Sequence, residues 1–178
     1  MLSLAKYAAF TALLATAACS SGGSSSGGGV GPSSPGNLTA AQVRALPVTA
    51  KMPTRGTATY NGSTSQSARS NGINITTTSD VRLDANFASN TIDGRISNIK
   101  GTSGGNSARA RGDLTGTGVI RGPSFYVPVD GILTVDGAGS TYSAGSIEGD
   151  FKGKNANAIQ GTVTMGSIPT TALIATQK

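Results

Sequence analysis

The 178 residues contain no histidine, no tryptophan and a single cysteine. Without histidine there is no Ser–His–Asp triad and no imidazole ligand for zinc or haem. One cysteine excludes an internal disulfide and a Cys-x-x-Cys metal site. Charged residues are only 12% and aromatics 4%, too few of the former for a coiled coil. The one long apolar run, Tyr7–Ala15, is too short to cross a bilayer as a helix. Glycine is plentiful, at 26 residues, where average usage gives about 12. It does not recur at every third position, so collagen is excluded.

Residues 1–18 carry one positive charge, Lys6, then the apolar run, then the small residues Thr16, Ala17 and Ala18. This is the pattern of an export signal with a small-residue cleavage site. Cleavage would fall at Cys19, the only cysteine. The arrangement resembles the bacterial lipobox, with Thr16 where leucine is usual. That resemblance implies a lipidated Cys19 as the mature N-terminus and a membrane anchor of two or three acyl chains. The alternative is an ordinary secretory signal. Ser20–Gly29 is all serine and glycine, and the tract runs on through residues 30–37. Such a segment has no apolar surface to bury and reads as a flexible tether. Ser20 after the cysteine resembles the sorting pattern for the outer membrane. Residues 38–54 form a short bridge. Thr39 and Gln42 have capping-box spacing for about two helical turns before Pro47, and an unstructured spacer is the alternative.

From residue 55 onward apolar and polar residues alternate, as in half-buried strands. Val81, Leu83, Ala85 and Phe87 share one face. Phe125, Val127, Val129, Gly131 and Leu133 share another, as do Gly145, Ile147, Gly149 and Phe151. Eight strands are expected: Gly56–Asn61, Ser79–Phe87, Thr91–Asn98, Ala110–Ile120, Pro123–Val135, Ala144–Lys152, Ala158–Met165 and Thr170–Gln177. The polar stretch Gly62–Thr78 reads as a mobile loop, although Ile73 and Ile75 could lengthen the second strand, and Gly101–Asn106 reads as a turn. Glycines set among large residues on the apolar faces suit the tapering interior of a small barrel. The expected fold is all-β: a soluble eight-stranded antiparallel up-and-down barrel over residues 55–178. A two-sheet sandwich is the alternative. A transmembrane barrel would need aromatic girdles at both interfaces, and the segment beyond Cys19 has three Phe and three Tyr.

Three segments carry a family resemblance: Met52–Gly62 (MPTRGTATYNG), Leu83–Gly94 (LDANFASNTIDG) and Gly149–Thr162 (GDFKGKNANAIQGT). Together they resemble the barrel of the transferrin-binding protein B superfamily of surface lipoproteins. The matching positions are Gly56, Thr57, Ala58, Tyr60 and Gly62, then Asp84, Phe87 and Gly94, then Phe151, Gly153, Ala156 and Gly161. The barrel also resembles that of factor H-binding protein. The sequence departs from the family pattern in placing Ala85 and Asn86 between Asp84 and Phe87. The resemblance implies a β-barrel at the cell surface, anchored by lipid to the outer membrane. It implies a non-catalytic binding module for a soluble host protein or a small solute, with no room for the handle domains of two-lobed receptors.

Catalysis has little to work with. Glu148 is the only glutamate, and the aspartates fall on strand faces and turns. Gly116 and Gly118 lie in a strand with no following helix, so they do not make a phosphate loop. No cofactor and no metal are expected, and the chain reads as a monomer. Net charge is +6, or +5 once Lys6 is removed with the signal. Arg109, Arg111 and Arg121 are the candidate ligand-binding residues, as a patch able to steer an acidic partner. The loops Gly62–Thr78 and Gly101–Asn106 are the candidate contact surface beside them. Nucleic acid is not an expected partner of an exported chain without stacking aromatics. A haem or small-solute binder at the barrel mouth is a second reading. Without histidine it would draw on Tyr60, Tyr126, Tyr142 or Met165. A structural envelope lipoprotein with no specific ligand is a third.

Overall fold

The computed structural model describes residues 38–178, apart from 71, 72, 104, 137, 138 and 167. The signal, Cys19 and the Ser/Gly tether lie outside the described residues. One short helix, α1 (Ala40–Ala45), precedes nine strands: β1 (Thr57–Ser70), β2 (Ile73–Asn86), β3 (Thr91–Ser103), β4 (Asn106–Arg111), β5 (Leu114–Arg121), β6 (Ser124–Val135), β7 (Gly139–Lys152), β8 (Ala158–Met165) and β9 (Ile168–Gln177). All pairings between neighbours are antiparallel, and β9 returns to pair with β1 from Tyr60↔Gln177 to Ser63↔Ile174. The sheet therefore closes on itself as an up-and-down barrel, which removes most of its free edges.

Nine strands occupy eight places around the barrel. The single strand expected at Ala110–Ile120 is two. β4 and β5 both lie between β3 and β6, one above the other. They are separated at Gly112, whose φ is +103°. A Cβ there would sit 2.4 Å from the Ile132 carbonyl oxygen, so only glycine lets the chain step past β6. A second correction concerns Gly62–Thr78, which is not a loop. It forms the upper halves of β1 and β2, paired from Gly62↔Val81 to Ser70↔Ile73. Likewise Gly101 and Thr102 continue β3 and pair with Ala108 and Ser107. Ile73 and Ile75 do lengthen the second strand; serine and threonine on both faces hid the rest, because little apolar alternation marks it.

The predicted apolar faces point inward. Leu83, Ile92, Ile96, Val127, Ile147, Ile159 and Leu173 are fully or almost fully buried in one cluster. Call the end where β1 begins and β9 finishes the lower end. Four aromatics fill it. Phe151 is the hub, with ring centroids 5.7 Å from Tyr60, 5.8 Å from Phe87 and 5.4 Å from Phe125. Such tilted and edge-on contacts suit the ring quadrupoles. The Tyr60 hydroxyl donates to the carbonyl of Ala156, which is fully buried with φ +56°. Burial pushes the Tyr60 phenol well above its ordinary value, because the anion would have no water around it. The three motif segments thus meet at one point: Tyr60 from the first, Phe87 from the second, Phe151 and Ala156 from the third.

The bridge straps this end. Thr39 and Gln42 form the capping box, and Val43 is fully buried. Thr49 donates its amide to the Phe151 carbonyl at 2.9 Å and its hydroxyl to the Gly153 carbonyl at 2.8 Å. The Gly153 amide donates to the Pro47 carbonyl at 2.8 Å. The β7–β8 turn is therefore held from inside by Tyr60 and from outside by residues 47–49.

The upper interior is different. Its buried side chains include Thr64, Ser79 and Thr171. The Thr64 and Ser79 hydroxyls bond each other at 2.7 Å, and Thr171 donates to Gln66.

Candidate binding surfaces on the barrel exterior

β4 carries Arg109 and Arg111 on the outer face at the upper end, and both are exposed. Arg111 is 3.4 Å from Asp136, which stands just after β6. Arg109 lies directly opposite Lys100 of β3. Arg121 ends β5 at the lower end, opposite Ser124. The structure therefore brings Arg109 together with Lys100, not with Arg121. Lys100 was missed in the sequence because only the β3–β4 register puts it beside Arg109.

Lys100 and Arg109 border a groove of about 440 Å³, which Thr76, Thr78, Thr102, Ser107 and Asp136 also line. Below it the outer face is knit together by cross-strand polar pairs. Arg82 holds Asp84 at 2.8 Å and keeps its carboxyl below the usual range. Arg95 pairs with Asp113. Thr117 donates to Asp93 at 2.6 Å and Ser124 to Asp150 at 2.6 Å.

A second surface runs along β5, β6 and β7. Of the large apolar side chains the described exterior exposes, all but Val48 stand here: Val119, Tyr126, Ile132 and Tyr142. Register pairs Val119 with Tyr126 and Ile132 with Tyr142. Arg121, Ser124, Phe125, Val119 and Tyr126 enclose a depression of about 270 Å³ at its lower end. The Tyr142 phenol titrates above its ordinary value because the Asp130 carboxylate is beside it.

The residues considered for haem do not converge. Tyr60 is buried and bonded to Ala156, Met165 faces the core, and Tyr126 and Tyr142 point out of the wall. Among the described residues no cluster of three carboxylates or other ligands could hold a metal ion.

A small meander barrel with a packed lower bore and an exterior divided between polar and apolar surfaces defines the class. Residues 52–175 match the family of C-lobe and N-lobe beta barrels of Tf-binding protein B, and the chain belongs to that family. A crystal structure of Transferrin Binding Protein B from Haemophilus parasuis Hp5 is similar, with a TM-score of 0.52 and 18% identity. The match covers 75% of this chain and 28% of that one. A crystal structure of a surface lipoprotein is similar with a TM-score of 0.50 and 16% identity, over 73% of this chain and 64% of that one. The chain thus spans less than two thirds of either structure, and the likeness is one of fold. A search of curated proteins finds no match to the sequence.

Proposed function

We propose that the chain is a surface binding module, not a catalyst, anchored at the outer membrane through a lipidated Cys19. The Ser/Gly tract is its tether, and the barrel captures a soluble protein on its outer wall. The observation that carries this reading is the wall of β5, β6 and β7. Ile132 and Tyr142 are 65% and 66% exposed and sit side by side. Tyrosine offers a large apolar face with a polar tip, and it recurs among the residues that dominate protein interfaces. The packed lower bore argues for capture on the outside. Arg111 and Arg121 flank the two ends of the wall, where they can steer an acidic partner. The similar structure from Haemophilus parasuis is of a transferrin-binding protein, so transferrin is the first protein to try.

The test immobilises the full-length protein and passes transferrin and fractionated serum proteins over it. Saturable retention is expected, with at least a tenfold loss in an Ile132→Ser/Tyr142→Ser variant of unchanged circular dichroism. No saturable retention from any fraction by the folded protein overturns the reading. Anchoring is tested separately. Cys19→Ser is expected to move the protein from the membrane to the soluble fraction, and full membrane retention of that variant overturns the anchor.

A further inference from the structure

The upper groove has a different chemistry from the apolar wall. Among the described residues, the side chains of Thr78, Lys100, Thr102, Ser107 and Arg109 have no hydrogen-bond or ion-pair partner. At several places on the exterior, hydroxyls that face each other across strands bond. Thr134 and Ser140 are opposite each other and meet at 2.8 Å. Ser67 and Thr76 meet at 3.2 Å, and Thr164 and Thr170 at 3.1 Å. Thr102 and Ser107 are likewise directly opposite, yet they do not bond each other. The groove therefore holds a set of donors that the fold leaves uncommitted.

Its charge is also unusual. Lys100 and Arg109 face each other directly across β3 and β4, an arrangement that destabilises a sheet. The acids nearby are engaged. Asp136, which lines the groove, pairs with Arg111 at 3.4 Å. Asp80 accepts from Asn98 at 2.6 Å. Two cations and a row of hydroxyls thus remain for a ligand, in a groove of about 440 Å³. That volume lies within the range of ligand sites, roughly 300–1,000 Å³. The lining has no large apolar or aromatic side chain; its non-polar members are Gly101 and Ala108. A protein partner would find no anchor here of the kind that dominates interfaces.

We propose that this groove binds an anionic oligosaccharide, its acid groups on Lys100 and Arg109 and its sugar hydroxyls on Thr78, Thr102 and Ser107. The inference does not depend on the protein-binding wall, which lies on other strands. Sulfate, phosphate or carboxylate on the sugar would present the same oxygens to the two cations.

The test uses the full chain with dextran sulfate, neutral dextran and polyglutamate as probes. Dextran sulfate is expected to bind and neutral dextran not. Lys100→Gln/Arg109→Gln is expected to weaken dextran sulfate at least tenfold and to flatten its salt dependence. Lys51→Gln/Lys154→Gln removes the same charge outside the groove and is expected to leave binding within twofold. Thr102→Val/Ser107→Ala is expected to weaken dextran sulfate severalfold while its melting temperature stays put. Vesicles bearing lipopolysaccharide, set against soluble polysaccharide, show which source binds tighter. Two outcomes overturn the proposal. One is equal weakening by the two charge variants, which makes binding a property of net charge. The other is polyglutamate binding as tightly as dextran sulfate with no response to hydroxyl removal, which makes the groove a site for acidic proteins.

Discussion

At the lower end of the barrel Tyr60, Phe87, Phe125 and Phe151 fill the bore, while at the upper end the buried side chains of the same wall include Thr64, Ser79 and Thr171. The lower end buries large apolar area, and each of its turns is tied by backbone or hydroxyl bonds. The upper end buries less apolar surface and more hydroxyl. Burial of apolar surface is the main favourable term in folding, so stability should concentrate below. The upper rim is then free to vary its surface chemistry without endangering the fold. This division explains why the family motifs gather at the lower end. They specify how the barrel is closed, not what it holds.

The sharpest way to break the comparison is at its hub. Phe151→Ala removes the ring that touches three other aromatics and is expected to cost about 3–5 kcal/mol. Urea denaturation followed by circular dichroism measures it, and a loss below about 1 kcal/mol would show that the lower end is not the stable one. Next comes Gly112→Ala, which puts a side chain at φ +103° and 2.4 Å from a carbonyl oxygen. Holding a residue in such a region costs about 1–3 kcal/mol. The same assay is expected to show this loss although Gly112 is exposed and far from the aromatic hub.

Tyr60→Phe tests the tie between two motifs. It leaves the buried Ala156 carbonyl without its donor, a loss of about 1–3 kcal/mol. It also has a pH signature. In the unfolded chain the phenol ionises near its ordinary value of about 10; in the barrel it ionises at higher pH. Between those values the folded state holds one more proton than the unfolded state, so stability falls as pH rises. Below the ordinary value both states are protonated and the phenol adds no slope. The wild type is therefore expected to lose stability as pH rises above about 10, more steeply than Tyr60→Phe does. Equal slopes in the two proteins would show that Tyr60 is not buried as described.

Much of this lower end was legible in the sequence. Alternation picked out Val81–Phe87, Phe125–Leu133 and Gly145–Phe151 as core faces, and the three motif segments marked the closing residues. The upper end was less legible for a physical reason. Residues 63–70 read STSQSARS, and 76–79 are Thr and Ser, so neither face of these stretches of β1 and β2 carries an apolar period. Their strand state comes from mutual pairing, from Ser63↔Asp80 to Ser70↔Ile73, which no local pattern encodes. The break between β4 and β5 escaped for a similar reason, since Gly112-Asp113 alters the path without altering composition. Of the candidate site, Arg109 and Arg111 were visible as a basic pair, but Lys100 is nine residues upstream and joins Arg109 only through register. The exposed pair Ile132 and Tyr142 was hidden too, because register alone sets one beside the other.

The smallest expected effect sharpens the comparison most. Thr64 and Ser79 are buried and bond each other at 2.7 Å at the upper end. Thr64→Val alone, or Ser79→Ala alone, strands one hydroxyl in the interior and is expected to cost about 1 kcal/mol. Replacing both removes donor and acceptor together, and Thr64→Val keeps the volume. The double variant is therefore expected to come back close to the wild type, because a polar pair replaced by apolar groups of similar shape is nearly neutral. The cycle isolates the coupling between the two hydroxyls. Additive losses would mean that each hydroxyl has other partners and that the upper bore is a polar network with its own demands. Recovery in the double variant would mean that the upper bore tolerates exchange of its buried polar groups, whereas the lower bore does not tolerate the loss of one ring.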